Sequence, residues 1–203
     1  MNANRRTVSS INTIALGFRV KSGYAIAVAL RGAASAPAAV ARLVVELSDP
    51  EDSGTRQPYH HGFYTHEEDA PTILRRVRIV ERCAAHSIAV LLKDARLADW
   101  RVAGLVVGSV LDPATVGNPH IRAHASEGRL FRTVLESALQ SHGIACEVIV
   151  EKQLAARAAA GLARREIEIR KALAGFGKSL GGPWRADEKN AATAAWLALS
   201  NRH

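Results

Sequence analysis

Residues 101–151 read RVAGLVVGSVLDPATVGNPHIRAHASEGRLFRTVLESALQSHGIACEVIVE, and this stretch predicts a strand, a helix and a second strand. We expect a buried strand from Val102 to Val110, a loop opened by Asp112, a helix over about 118–141 and a strand from Ile144 to Val150. The first strand is almost entirely apolar, which is typical of a parallel strand covered on both faces. Ligands of open α/β sheets bind outside the carboxyl ends of the strands, so the stretch predicts a site at that edge.

Length and composition favour one compact unit. The chain has 203 residues, of which 48% are hydrophobic and 23% charged, and we expect a single domain over 1–203 with a long loop insertion at about 48–68. Residues 1–10 lack the apolar core of a signal peptide, and the apolar runs are too short to span a bilayer. The sequence therefore predicts a cytoplasmic protein with no membrane association.

The cysteines and the net charge indicate the redox state of the thiols and the kind of partner to expect. Cys83 and Cys146 lie in apolar-periodic segments without a paired motif, which predicts buried free thiols. A net charge of +8 and a pI near 10.1 favour attraction to polyanions, although many proteins rich in arginine are basic without binding nucleic acid. Charge alone raises the expectation of a nucleic-acid partner only modestly.

The chain before the central stretch predicts three strands and a helix. Apolar runs at Ile11–Leu16 and Tyr24–Leu30, separated by a GFRVKSG turn, predict a hairpin, and Ala39–Leu47 predicts a third strand of an antiparallel meander. Asp69 is placed to cap a helix that continues to about Lys93. The arginines of this helix are expected to form a solvated basic face, with nucleic-acid contact as the second interpretation.

The chain after the central stretch predicts two helices. Residues 153–175 are helical in pattern with an interruption at Gly161, the GFGKSLGG segment at 175–182 is expected to be a flexible connector, and Ala186–Ser200 forms the last helix. Its run AATAAWLAL predicts close packing because most of its side chains are small. GFGKSLGG does not have the spacing of a phosphate-binding loop.

The long polar segment at about 48–68 predicts a functional loop. It contains Pro, Gly and polar residues without any period, and loops of this length inside a domain are often functional. The side chains of interest are Arg56, Tyr59, His60, His61 and His66. A solvated insertion with incidental histidines is an equal alternative.

The element order and three short motifs resemble a known superfamily. The order β-β-β-loop-α-β-α-β-α-α matches ribonuclease H-like proteins, with a five-stranded mixed sheet of three antiparallel and two further parallel strands. LVVGSVLDP, CEVIVEKQLAARAA and DEKNAATAAWLAL are similar to motifs of the Holliday-junction-resolvase-like and pre-ribosomal-RNA nuclease group. The resemblance implies an α/β fold and metal-dependent hydrolysis of a nucleic acid.

Not every acidic residue of the resembled group has a counterpart in this sequence. The resemblance places the second-strand acid at Glu151 and the last-helix acid at Asp187 or Glu188, but it places Leu16 where the first-strand aspartate belongs. No acidic residue precedes Glu46. Such nucleases hold two divalent ions about 4 Å apart between carboxylates, and neither a leucine nor a basic turn can replace the bridging aspartate. The sequence thus predicts that catalysis is lost or that other groups rebuild the site.

A histidine pair on the helix predicted over about 118–141 is one group that could rebuild the site. His120, His124 and Glu127 fall at i, i+4 and i+7, so they project from one helix face and could ligate a transition metal such as Zn, Mn or Fe. The alternative is a wet helix face whose carboxylate lies near the positive helix start. For the protein as a whole the expected cofactor is a divalent ion, with Mg, Mn and Zn as the candidates.

Basic side chains predict an anion site near the same helix. Arginine forks and helix N–H groups suit phosphate oxygens. The predicted substrate-binding residues are Arg56, Tyr59, His60, Arg122 and Arg129. Ordinary salt bridges of Arg129 and Arg132 with nearby glutamates are equally expected, and Asp112 is either a ligand or the acceptor of an Asx-turn.

Two functions remain open from the sequence. The first is a metal-dependent phosphodiesterase, a nuclease with a non-standard site, whose catalytic ligands or bases are Asp112, Glu127, Glu151, Asp187 and Glu188. The second is a catalytically inactive relative that binds nucleic acid or a protein. The expected partner is DNA or RNA, and a homodimer is left open.

Overall fold

The computed structural model describes residues 13–61, 65–98 and 100–201. The strands are β1 Ile14–Lys21, β2 Tyr24–Arg31, β3 Ala38–Glu46, β4 Val102–Val107 and β5 Ala145–Val150. The helices are α1 Ala70–Leu92, α2 Pro119–Gln140, α3 Glu151–Leu162, α4 Glu166–Leu180 and α5 Ala186–Ser200.

The five strands form one mixed sheet in the order β3-β2-β1-β4-β5. The meander β1-β2-β3 is antiparallel, whereas β1, β4 and β5 run parallel. The expected five-stranded mixed sheet is confirmed. Because β1, β4 and β5 are parallel, their carboxyl ends lie at one edge, which we call the carboxyl edge.

The prediction that β1 ends at Leu16 is wrong. The strand begins at Ile14 and continues to Lys21, so residues taken for a turn are strand. Gly17 lies against α5, where a Cβ atom would be 1.8 Å from the Ala191 carbonyl oxygen. This glycine therefore permits close helix packing, and the turn falls instead at Gly23, whose φ is +85°.

Helix α5 packs directly on the centre of the sheet. A Cβ atom at Gly104 of β4 would lie 2.7 Å from the Ala194 carbonyl oxygen. Both central strands, β1 and β4, therefore have a glycine where the backbone of α5 passes closest to the sheet. Every residue from Ala191 to Leu199 is buried, which confirms the close packing predicted from its small side chains. The amino terminus of α5 is thereby held at the carboxyl edge.

The two faces of the sheet are covered by different helices. Helices α1 and α2 pack on one face over a cluster that includes Leu16, Phe18 and Val20. Helices α3, α4 and α5 cover the other face. Asp69 caps α1 by accepting a hydrogen bond from the Thr72 backbone at 2.9 Å, as predicted. In the part of the chain that the structure describes, no helix is long and apolar enough to cross a membrane.

The predicted connector at 175–182 is largely helical, so that prediction is wrong. The interruption falls later than Gly161, at Ala163, which adopts a left-handed conformation with φ 49°. Helix α4 then continues to Leu180. Phe176 is buried, and Gly177 allows the Trp184 ring to approach the helix, since a Cβ atom there would lie 2.4 Å from that ring. Gly177 therefore serves packing between α4 and the Trp184 ring.

Smaller boundary differences surround the central stretch. Strand β4 ends at Val107 instead of Val110, and Glu151 begins α3 directly after β5. The two cysteines are free, as expected, but half-buried rather than buried.

Candidate functional site

Arg19 lies between Glu151 and Asp187 at the carboxyl edge, and we call these two acids the acidic site. The Arg19 Nη2 atom lies 2.5 Å from Glu151 Oε2 and its Nε atom lies 3.5 Å from Asp187 Oδ1. The sheet register explains the encounter, because Arg19 pairs with Val106, which pairs with Ile149, two residues before Glu151. The Arg19 residue is only 6% exposed, so the guanidinium is held between the carboxylates.

The neighbours of Arg19 complete this ionic cluster. Lys21 Nζ lies 3.5 Å from Asp187 Oδ1, and Asn190 donates a hydrogen bond of 2.8 Å to Glu151 Oε1. Arg19 also donates to the Val20 carbonyl oxygen at 3.1 Å. Arg19 and Lys21 thus lie against the carboxylates that would need to face divalent ions. The residues present at this edge do not fit the pair of divalent ions that the family resemblance implies.

The assignment of Leu16 to the place of the first-strand aspartate stays a prediction, whereas the prediction that Arg19 lies in a basic turn is wrong. Leu16 is fully buried in the core under α1 and α2, away from the acids. Arg19 is not part of a basic turn but a strand residue that contacts both acids.

Asp187 and Glu188, which the sequence could not separate, have different surroundings. Glu188 accepts two hydrogen bonds from Arg42, of 2.9 and 2.7 Å, and its side chain is 5% exposed. It also accepts from the Arg185 backbone at 2.8 Å, closing the first turn of α5. Burial opposes ionisation, but these hydrogen bonds hold the pKa of Glu188 below its usual value. Asp187, in contrast, faces Arg19 and Lys21.

Three histidines meet beside this ionic cluster. His60 of the loop between β3 and α1 contacts His120 and His124 of α2, with ring centroids 5.2 and 4.4 Å away. The Nε2 atoms of His120 and His124 are 3.2 Å apart. One ligand atom from each of the three lies within 4.8 Å of the others. We call these residues the histidine cluster.

Glu127 lies behind the histidine cluster. Its Oε1 atom is 2.6 Å from His60 Nδ1, and both side chains are almost fully buried. Burial raises the pKa of Glu127 to about 8. Burial and the charge of His66 lower the pKa of His60, and burial, His60 and His120 lower that of His124. Both pKa shifts disfavour the charged forms of His60 and Glu127 in this buried contact.

The predicted anion-site residues are only partly brought together. Tyr59 is half-buried next to Glu127, and burial raises the pKa of its hydroxyl. Arg129 lies 3.4 Å from Asp112, and Arg122 donates to the Val116 carbonyl oxygen at 3.4 Å. Arg56 packs its side chain against Gly23, in the turn between β1 and β2.

The Asx-turn at Asp112 and a salt bridge of Arg132 with a nearby glutamate, both considered from the sequence, are present in the structure. Asp112 accepts a hydrogen bond from the Ala114 backbone at 3.2 Å, as an Asx-turn requires. Arg132 pairs with Glu136 at 3.4 Å within α2. His61 and His66 lie 3.3 and 2.9 Å from Glu67 and Glu68, outside the histidine cluster.

A pocket of about 300 Å³ lies between the ionic cluster and the histidine cluster. Its lining includes Arg19, Lys21, Gly108, Ser109 and His124. The carboxyl ends of β1 and β4 thus share one hollow with the amino-terminal part of α2, at the edge where the sequence predicts a site.

Sequence reasoning missed Arg19 and Arg42, and it assigned His60 to anion binding only. One signal for Arg19 was present, because apolar residues at Phe18 and Val20 flank it with the alternation of a strand. No signal linked His60 to α2, since about 60 residues separate them and the loop has no period.

Comparison with known proteins finds relatives in structure alone. No protein family model matches the chain, and no curated protein matches it in sequence. Thermus thermophilus RuvC in complex with Holliday junction substrate is 12% identical, with 92% of each chain covered and a TM-score of 0.53. A second Thermus thermophilus RuvC structure is 11% identical, covering 91% of this chain and 92% of that one, with a TM-score of 0.52. The yeast mitochondrial Holliday junction resolvase Ydc2 is 11% identical, covering 95% and 82%, with a TM-score of 0.51.

These likenesses, together with the sheet order, show that the chain has a ribonuclease H-like fold. The fold is similar to that of the Holliday junction resolvases, so the resemblance drawn from the motifs is confirmed at the level of fold.

Proposed function

We propose that this protein binds nucleic acid through a resolvase-like fold and does not hydrolyse it by the two-metal route. The observation that carries the proposal is the Arg19 guanidinium, which bonds Glu151 and approaches Asp187 inside the acidic site. Two divalent ions need carboxylate oxygens free to face them, and a buried guanidinium in their place both blocks and neutralises that site.

The charge of the molecule supports binding. The chain carries a formal net charge of +8, and the exposed arginines Arg56, Arg122 and Arg129 lie around the carboxyl edge and the adjoining helix. The helices α2, α3 and α5 all begin near this edge, and helix amino termini favour phosphate groups. Phosphate contacts supply most sequence-independent affinity for nucleic acids.

Binding and cleavage are tested side by side on four-way junction, duplex and single-stranded DNA and on RNA of matched length. Each substrate is incubated with EDTA, Mg²⁺ or Mn²⁺, followed by mobility-shift and denaturing gels. We expect salt-sensitive binding that needs no divalent ion, and intact strands in every lane. A preference for the junction would favour a resolvase-like binding surface.

Three results would contradict the proposal or its expected absence of cleavage. Mg²⁺-dependent cleavage that disappears in Glu151→Gln would show that the acidic site works despite Arg19. Absence of binding to all substrates at low salt would remove the nucleic-acid role and leave a protein-binding module. Cleavage that survives Glu151→Gln but is lost in His124→Ala would move the chemistry to the histidine cluster.

A further inference from the structure

The histidine cluster has the geometry of a metal site assembled from two separate elements. His60 comes from the long loop, whereas His120 and His124 occupy adjacent turns of α2. Two ligands of a tetrahedral zinc ion, each bound at about 2.05 Å, are about 3.3 Å apart. The Nε2 atoms of His120 and His124 are 3.2 Å apart, which matches that separation.

His60 is oriented for coordination. Glu127 holds its Nδ1 atom at 2.6 Å, which leaves Nε2 directed toward the other two rings. The His60 side chain is 4% exposed, yet its Nε2 atom has no hydrogen-bond partner within residues 13–61, 65–98 and 100–201. A buried nitrogen without a partner is unfavourable, and a metal ion would satisfy it.

The pairing of His60 with Glu127 is the arrangement found behind many metal-binding histidines. Such a histidine donates its second ring N–H to a carboxylate, which fixes the orientation of the ring and makes the ligating nitrogen more basic. Glu127 was predicted from its helix spacing as a ligand. In the structure its carboxylate contacts the far side of His60, and so it fits a supporting role better than a coordinating one.

We propose that His60, His120 and His124 bind a transition-metal ion of the zinc type, with Glu127 positioning His60. Three imidazoles suit Zn²⁺, whereas Mg²⁺ and Mn²⁺ prefer oxygen ligands. His124 lines the pocket of about 300 Å³, so water or an anionic oxygen from that pocket would complete the coordination. The ion would join the long loop to α2, and this proposal does not depend on nucleic-acid binding.

Metal binding is measured on the full chain after treatment with EDTA and removal of the chelator. Zn²⁺ is titrated by calorimetry, and Co²⁺ is added separately as a spectroscopic probe. We expect one Zn²⁺ per chain and visible Co²⁺ bands of a four-coordinate nitrogen and oxygen site. Glu127→Gln should weaken Zn²⁺ binding by about 10- to 100-fold while keeping the stoichiometry.

Matched histidine variants make the test specific. His124→Ala removes a half-exposed ligand and should abolish the tight site, while His86→Ala and His142→Ala remove exposed histidines elsewhere and should leave it unchanged. Circular dichroism of each variant confirms folding. The proposal is overturned if the wild type binds no Zn²⁺, if His86→Ala or His142→Ala weakens binding as much as His124→Ala, or if Co²⁺ shows thiolate charge-transfer bands from a cysteine.

Discussion

At the scale of single residues, Arg19 decides what the acidic site can do. Replacing it with alanine leaves Glu151 and Asp187 without their shared guanidinium, so that Asp187 keeps Lys21 and Glu151 keeps only the Asn190 amide. We expect Arg19→Ala to lower the free energy of unfolding by about 2 kcal/mol, less than a fully buried pair would lose because Glu151 is 42% exposed. Mg²⁺ or Mn²⁺ should then raise the melting temperature of the variant but not that of the wild type.

The exposed Arg122 provides the control for this prediction. Arg122→Ala removes the same charge from a side chain that donates to the Val116 carbonyl oxygen, and it should alter neither stability nor the response to divalent ions. Equal stabilisation of the wild type and Arg19→Ala by Mg²⁺ would contradict the role assigned to Arg19.

Residue types alone could not reveal this site. Glu151 and the acids at 187 and 188 were recognisable from the motifs in which they lie, and the paired spacing of His120 and His124 is visible in the sequence. The contacts of Arg19 and His60 depend on strand register and on the path of an irregular loop. Neither leaves a periodic signal in the sequence.

At the scale of elements, the pair Arg42–Glu188 clamps α5 to β3. The depressed pKa of Glu188 means that its stabilising effect is present above the unfolded value of 4.5 and is lost as pH falls through the folded value. Glu188→Gln should therefore destabilise the protein at pH 7 by about 2–4 kcal/mol. Its unfolding free energy should also change less between pH 7 and pH 3 than that of the wild type, as measured by urea denaturation.

The control for Glu188→Gln is a double variant that removes both charges of the Arg42–Glu188 pair. Arg42→Met combined with Glu188→Gln leaves no unpaired buried ion and should recover part of the loss. A pH profile of Glu188→Gln that parallels the wild type would show that this carboxylate does not contribute to acid sensitivity.

The contact of α5 with the sheet depends on Gly17. Gly17→Ala places a methyl group 1.8 Å from the Ala191 carbonyl oxygen, so backbone must move, and we expect a loss of about 3 kcal/mol in unfolding free energy. Gly175→Ala is the control, since nothing lies within 4 Å of its Cβ position in α4 and helix propensity should stabilise it by about 0.5–1 kcal/mol. Thermal denaturation of both variants distinguishes the roles, and equal losses would contradict the packing argument.

These elements also show where sequence patterns succeed. The boundaries of α2 and α5 were predicted within one or two residues because caps and apolar spacing mark them. Gly17 and Gly177 were interpreted as turn or connector signals, because a glycine needed for close packing looks the same in sequence as one needed for a turn.

At the scale of the whole molecule, two basic surfaces are candidates for the nucleic-acid face that we propose. One lies at the carboxyl edge and the adjoining start of α2, with Arg56 and Arg122, and the other is the exposed face of α1, with Arg78 and Arg82. The double variants Arg56→Glu/Arg122→Glu and Arg78→Glu/Arg82→Glu each change the net charge from +8 to +4, since each substitution subtracts two charges. Any difference between them therefore reports position rather than total charge.

We expect the carboxyl-edge double variant to lose the greater affinity, because phosphate groups near helix amino termini receive both side-chain and backbone N–H groups. Each lost phosphate contact should lower the slope of log affinity against log salt by about 0.9 for duplex DNA. Fluorescence anisotropy over a salt series measures both quantities. If the α1 variant loses more affinity and more slope, the binding face lies on α1, and the carboxyl edge would have kept the resolvase-like geometry without its ligand.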